Sequence, residues 1–132
     1  MTDSGRDSVM TTGRTLGQMC GEGELRAVGP ESTVAEAARV MRDHRIGAVL
    51  ISEAGRLNGI LSERDVTYRA VAAGLDPTTT VVSEVMTRNV ITASPETRAV
   101  NGLQQMAENQ IRHLPVIDAG SVIGIVSLRD FL

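Results

Sequence analysis

Aromatic side chains are almost missing from this chain: of 132 residues only Tyr68 and Phe131 carry a carbocyclic ring, and there is no tryptophan. A flat ligand would therefore be gripped by aliphatic groups, and the 42% hydrophobic content has to build the interior from Val, Ile, Leu, Met and Ala. Cysteine is nearly absent too. Cys20 stands alone, which excludes a disulfide framework and a thiolate metal cluster and leaves it as a small packing residue. Neither His44 nor His113 has a Cys or carboxylate at metal-ligand spacing, so no metal site is expected. No apolar run approaches the roughly 18 residues of a membrane span. The opening Met1-Thr2-Asp3-Ser4-Gly5-Arg6 lacks the apolar stretch of a secretory signal, so the expected location is cytoplasmic. A net charge of −3 without blocks of like charge argues against nucleic acid as a partner. No nucleophile can be named beside a base, which argues against an enzyme.

What the chain does have is a duplication. Gly59-Ile60-Leu61-Ser62-Glu63-Arg64-Asp65 returns as Gly124-Ile125-Val126-Ser127-Leu128-Arg129-Asp130, an offset of 65 residues, 124 less 59. The same offset carries Pro30-Glu31 onto Pro95-Glu96, Met41 onto Met106, Ile46 onto Ile111 and Ala54-Gly55 onto Ala119-Gly120. A unit too short to bury its own apolar face must pack against a copy. The length suits one shared core, so two repeats packed as a pseudo-symmetric pair with clefts along the seam are expected.

Residues 1–14 show no apolar period and are expected to form a flexible leader. Repeat one is expected over 15–79 and repeat two over 80–132, linked by Leu75-Asp76-Pro77-Thr78-Thr79. Thr15-Leu16-Gly17-Gln18 has the spacing of a capping box opening a short helical turn, with Val82-Ser83-Glu84-Val85-Met86 as its counterpart. The Gly21-Glu22-Gly23 loop makes repeat one a residue longer here. Thr33-Val34-Ala35-Glu36 opens an amphipathic helix with Val34, Ala37, Ala38 and Met41 on one face. Its partner, over 97–109, has Arg98 in place of Thr33 and Gly102 in place of Ala37. That predicts a softer helix unless close packing requires the missing side chain. The β-branched runs 46–51 and 111–117, each followed by Ala-Gly and a second run at 57–61 or 122–126, predict two hairpins. Ser62 and Ser127 then open further helices, the first stopping at Gly74 and the second cut short by position 132. The class is α+β, each unit reading strand, helix, strand, strand, helix.

This order, with the Gly-apolar-X-Ser-X-X-Asp ending in both copies, resembles the cystathionine β-synthase (CBS) domain, and two in tandem resemble a CBS pair, or Bateman module. The stretch Met86-Thr87-Arg88-Asn89-Val90-Ile91-Thr92, the Pro95-Glu96-Thr97 before a helix, and Ile111-Arg112-His113-Leu114-Pro115-Val116 strengthen the likeness. The resemblance implies a regulatory module, not an enzyme, that needs no cofactor and binds an adenosine-containing effector such as AMP, ADP, ATP, NAD or S-adenosylmethionine. By the family's pattern one cleft would use Ser62, Arg64 and Asp65 with Asn89, Val90, Ile111, Arg112 and His113. The other would use Ser127, Arg129 and Asp130 with Ala27, Val28, Gly47 and Ala48. In this pattern Ser and Asp hold the ribose and the facing segments hold the adenine. The family also implies a homodimer and a regulated partner or process.

The chemistry fits. A carboxylate can accept both hydrogens of a vicinal diol, and charge-assisted bonds of this kind contribute roughly 1.5 to 3 kcal/mol. A helix start beside it suits a phosphate, and Arg64 or Arg129 could clamp one bidentately. Each Ser-X-X-Asp is equally a plain capping box. Arg112 and His113 replace Gly47 and Ala48, so the clefts are not equivalent; the basic pair either meets a phosphate or solvates a strand end. His44 reads as a solvated residue at a helix end, where a cation is favoured. The rival reading is a structural module whose clefts are vestigial and whose work is dimerisation or docking.

Overall fold

The computed structural model describes residues 13–20 and 25–132. The expected leader lies outside the described residues except for Gly13 and Arg14, and the Gly21-Glu22-Gly23 loop lies outside them entirely. The class is α+β, with two strand-and-helix repeats. In space the chain forms two compact units: Arg26–Val90, and the described residues up to Leu25 together with Ile91–Leu132. Each unit thus takes in the short turn that precedes the other repeat in sequence.

In the 26–90 unit, helix α2 (Val34–His44) follows from its cap. Thr33 Oγ1 accepts the Glu36 amide at 3.1 Å, and Glu36 Oε1 accepts the Thr33 amide at 2.9 Å, so two donors that the first turn cannot bond internally are satisfied reciprocally. The helix buries Val34, Ala37 and Met41 in a cluster with Val49, Ile51 and Leu61. It ends at Arg45 in the left-handed region (φ 53°) with His44 exposed in the last turn. Strands β2 (Ala48–Glu53) and β3 (Arg56–Ser62) make an antiparallel hairpin, and β1 (Ala27–Val28) joins β2 in parallel. The hairpin turns on Ala54 and Gly55, both at positive φ, which suits the right-handed twist of the flanking strands. Helix α3 (Glu63–Asp65) continues as a π-helical stretch, Val66–Val71, before the Gly74 stop at φ 76°. A 3₁₀ turn, Val82–Glu84, then docks on this unit: Val82 donates to the Ser32 carbonyl at 2.7 Å, and Val82, Val85 and Met86 enter the core. Each fully buried aliphatic side chain of this kind contributes roughly 1.5 to 3 kcal/mol.

The other unit repeats much of this construction. Helix α1 (Leu16–Cys20) carries the expected capping box, with the Gln18 amide to Thr15 Oγ1 at 3.3 Å and the Thr15 amide to Gln18 Oε1 at 2.9 Å. Leu16 donates to the Thr97 carbonyl at 2.8 Å, as Val82 does to Ser32. Ala99 donates to the Arg14 carbonyl at 2.8 Å, as Val34 does to Thr80 at 2.9 Å. Helix α4 (Ala99–Asn109) starts two residues later than expected, at the position that matches Val34, although Arg98 provides no side-chain cap. It ends at Gln110 with φ 54°, matching Arg45. A Cβ at Gly102 would sit 2.8 Å from Leu16 Cδ2, so close packing does require the missing side chain. Strands β4 (His113–Asp118) and β5 (Ser121–Ser127) form the second hairpin, and a 3₁₀ turn, Leu128–Phe131, closes the unit with Phe131 buried. The pairing register slips at Ile51/Ser52 in one hairpin and at Val116/Ile117 in the other, 65 residues apart. No helix among the described residues is long and apolar enough to cross a membrane.

Candidate functional site

In the 26–90 unit the Ser-X-X-Asp turn sits where β3 runs into α3. Ser62 stays extended (φ −100°, ψ 163°), and its Oγ accepts the Asp65 amide at 3.1 Å. Asp65 Oδ2 returns the bond by accepting the Ser62 amide at 3.0 Å. The Glu63 amide donates to the Gly47 carbonyl at 2.9 Å and Ala48 pairs in register with Ser62, so the motif lies directly beside the start of β2. Only 14% of the Asp65 side chain is exposed, and its carboxylate reaches beyond its own turn. Thr87 Oγ1 donates to Oδ2 at 3.4 Å, and Arg69 Nε lies 3.9 Å from Oδ1. Arg64 points elsewhere, its guanidinium 5.3 Å from the centroid of the exposed Tyr68 ring. Ala27 and Val28 align with Leu50 and Ile51, and Asn89 and Val90 lie at the end of the unit with Asn89 exposed.

In the 91–132 unit the matching turn is more open. Asp130 Oδ2 accepts the Ser127 amide at 2.7 Å, and Leu128 donates to the Arg112 carbonyl at 2.8 Å. His113 pairs in register with Ser127. Arg112, Arg129 and Asp130 are exposed, while Ile111 packs against the core. Cys20 is half-buried in this core; burial first, and the negative charge of Asp130 second, push its thiol above the ordinary value.

The structure therefore groups the expected site residues by unit. Ser62, Arg64 and Asp65 share one unit with Gly47, Ala48, Ala27, Val28, Asn89 and Val90, while Ser127, Arg129 and Asp130 share the other with Ile111, Arg112 and His113. Two further participants, Arg69 and Thr87, were not foreseen as site residues. The signal for Arg69 was its spacing of four from Asp65, and for Thr87 its place in the Met86-Thr87-Arg88-Asn89 stretch. Chemically, the 26–90 unit offers a held carboxylate with one oxygen committed to the cap. The other unit offers an exposed carboxylate beside a strand start carrying Arg112 and His113.

These features define a tandem pair of α+β domains, each with a Ser-X-X-Asp turn where a strand runs into a helix. The CBS domain model matches residues 23–71 and 82–132, and the chain belongs to the CBS domain family. The CBS domain-containing protein YhcV of Bacillus subtilis is 39% identical over 107 residues, covering 81% of this chain and 76% of that protein. CBSCBSPB2 of Arabidopsis thaliana is 40% identical over 102 residues, covering 76% of this chain, which spans only 19% of that longer protein. Among solved structures, the CBS domain NE2398 superposes with a TM-score of 0.85 at 32% identity, covering 89% of this chain and 94% of its own. The CBS domain pair of protein MJ0100, solved in complex with 5′-methylthioadenosine and S-adenosyl-L-methionine, superposes with a TM-score of 0.78 at 28% identity, covering 88% and 90%.

Proposed function

We propose that this protein is a cytoplasmic sensor that binds an adenosine-containing ligand, with the Ser-X-X-Asp turns holding the ribose hydroxyls and a partner or process responding to the bound state. The observation that carries the reading is the pair of turns themselves: Asp65 and Asp130 each cap a strand-to-helix junction directly beside the start of a neighbouring strand. Each keeps one carboxylate oxygen outside its capping bond. The complex of MJ0100 with two adenosine compounds supports the ligand class. Arg112, beside Ser127 and Asp130, adds positive charge in the 91–132 unit, so a phosphate or other anionic group is best received there. Binding can act on a downstream process only through different affinities for two states of the module.

The test is thermal unfolding against AMP, ADP, ATP, NAD and S-adenosylmethionine. A ligand at about 100 times its dissociation constant stabilises by about 2.7 kcal/mol, a rise of several degrees for a chain of this size. Asp65→Asn retains an oxygen acceptor for the Ser62 amide but loses the charge, and is expected to weaken binding roughly tenfold with little change in stability without ligand.

A second reading has its own observation. Tyr68 and Val71 are each 62% exposed and Leu75 is 39% exposed, all on or just after the π-helical stretch, which favours docking by a second copy and a homodimer. If no member of the panel raises the unfolding midpoint, this docking function replaces the sensor.

A further inference from the structure

We infer that Arg69 and Thr87 are positioning residues that lock the Asp65 carboxylate to residues 85–90, so that whatever engages Asp65 also sets the mobility of the segment by which the chain leaves this unit. The inference rests on the sensor reading for what engages Asp65, but the lock itself is a property of the protein alone.

The contacts converge from three sides. Arg69 Nη1 donates to the Met86 carbonyl at 3.2 Å and to the Val85 carbonyl at 3.4 Å, while Nε of the same guanidinium lies 3.9 Å from Asp65 Oδ1. Thr87 Oγ1 donates to Asp65 Oδ2 at 3.4 Å. The backbone beneath is laddered, with Ile60 donating to Thr87 at 3.0 Å and Thr87 to Ile60 at 2.9 Å. A Cβ at Gly59 would lie 2.6 Å from Met86 Sδ and 2.7 Å from the Thr87 carbonyl, so the segment is seated against the bare backbone of β3. The planar guanidinium makes this joint possible: it presents donors along two edges, so one group can bridge a carboxylate and two carbonyls where an ammonium would act as a point charge.

Among the described residues these contacts are made in the 26–90 unit. In the sequence alignment of the repeats Cys20 stands where Met86 does, so Gly21, a residue type without a hydroxyl, stands where Thr87 does. The two aspartates therefore differ in their contacts. Asp65 is coupled to a chain segment, whereas Asp130 has its capping bond to Ser127.

Amide hydrogen exchange on the full chain tests this with and without ligand. Without ligand, Thr87→Val and Arg69→Gln should each raise exchange across residues 85–90 about tenfold while leaving 49–51 unchanged, and Thr87→Ser should restore protection. Unchanged exchange at 85–90 in both variants overturns the lock, whether or not any nucleotide binds. A global rise that includes 49–51 in both variants also overturns it as a local device. With the probe that stabilises the wild type best among AMP, ATP and S-adenosylmethionine, binding should change protection at 85–90 in the wild type and in Thr87→Ser but not in Thr87→Val. Equal ligand response in Thr87→Val and wild type overturns the coupling while leaving the sensor reading intact. Failure of every probe to bind removes the sensor reading alone, and the ligand-free exchange still decides the lock.

Discussion

The two units are built on one plan and secured differently. Both seat a sulfur-bearing residue from the docked short turn over a glycine in the second strand of the hairpin: Met86 over Gly59, and Cys20 over Gly124. Both begin their long helix with a backbone bond to the residues just before the short turn that docks on the unit, Val34 to Thr80 and Ala99 to Arg14. Around these shared contacts, the 26–90 unit has a full capping box at Thr33 and an aspartate tied to its neighbours, while the 91–132 unit has an uncapped helix start at Arg98 and an exposed Asp130. Close approach of backbones is the feature both copies retain; local polar reinforcement is the feature that differs between them.

Adding a methyl group at each seating glycine tests whether the seats are equally rigid. Gly59→Ala drives its Cβ against the Thr87 carbonyl at 2.7 Å, and that oxygen cannot withdraw without losing its bond from the Ile60 amide. Gly124→Ala meets the Cys20 Cβ at 2.7 Å and Sγ at 2.8 Å, on a side chain at the end of a five-residue helix that can recede more cheaply. Overpacking of this kind costs about 1 to 3 kcal/mol; Gly59→Ala is expected at the upper end and Gly124→Ala at the lower. Urea unfolding of the two variants checks this, and equal losses would mean the seats are equally stiff.

The helix starts differ by a smaller amount, and that difference depends on pH. Thr33→Ala removes the hydroxyl that receives the Glu36 amide and should cost about 1 kcal/mol near neutral pH. The Thr33 backbone amide first, and its hydroxyl second, hold the Glu36 carboxyl below its ordinary 4.5. A carboxyl depressed in the folded state contributes stability that is present above the unfolded value and lost as pH falls through the folded one. Stability from the box therefore persists above pH 4.5 and fades below it, and the deficit of Thr33→Ala should narrow over the same range. In the other unit Asn101 stands where Glu36 does and has no proton to gain. Transplanting the box as Arg98→Thr with Asn101→Glu should introduce the acid step there, visible as a new pH dependence of the unfolding midpoint.

Much of this asymmetry is legible in the amino-acid sequence. The offset of 65 residues located the paired elements, Thr33 with Glu36 declared a box, and Gly102 marked either a weak helix or a tight contact. The choice between those two required Leu16, which is 83 residues of chain or more from the helix it packs on, since no local pattern reports which turn fills which gap. The helix ends were harder for a different reason. Arg45 and Gln110 adopt the left-handed conformation usually given to glycine, so the residue type gives no warning of the stop, and β2 and β4 begin two residues later than their apolar runs. Strand β1 is only two residues long, too short for a period of two to show. At the site, the motif residues were readable as types. Arg69 and Thr87 were not, because their role depends on a carboxylate 4 residues from one and 22 from the other.

The finest distinction between the units is electrostatic, and Cys20 reports it. Its thiol is pushed up chiefly by burial and further by the Asp130 carboxylate, so little thiolate forms at neutral pH and alkylation by iodoacetamide should be slower than for a free thiol. Asp130→Asn removes the charge while keeping an oxygen to accept the Ser127 amide, and should speed alkylation modestly, by less than unfolding the protein does. Burial and Asp130 are the causes that push the thiol up, so Asp65→Asn should leave the rate unchanged. A rate that ignores Asp130→Asn would mean burial alone governs the thiol. A rate that responds to Asp65→Asn as strongly would mean the two carboxylates are not electrostatically separate, and the contrast between a tied and an open aspartate would lose its footing.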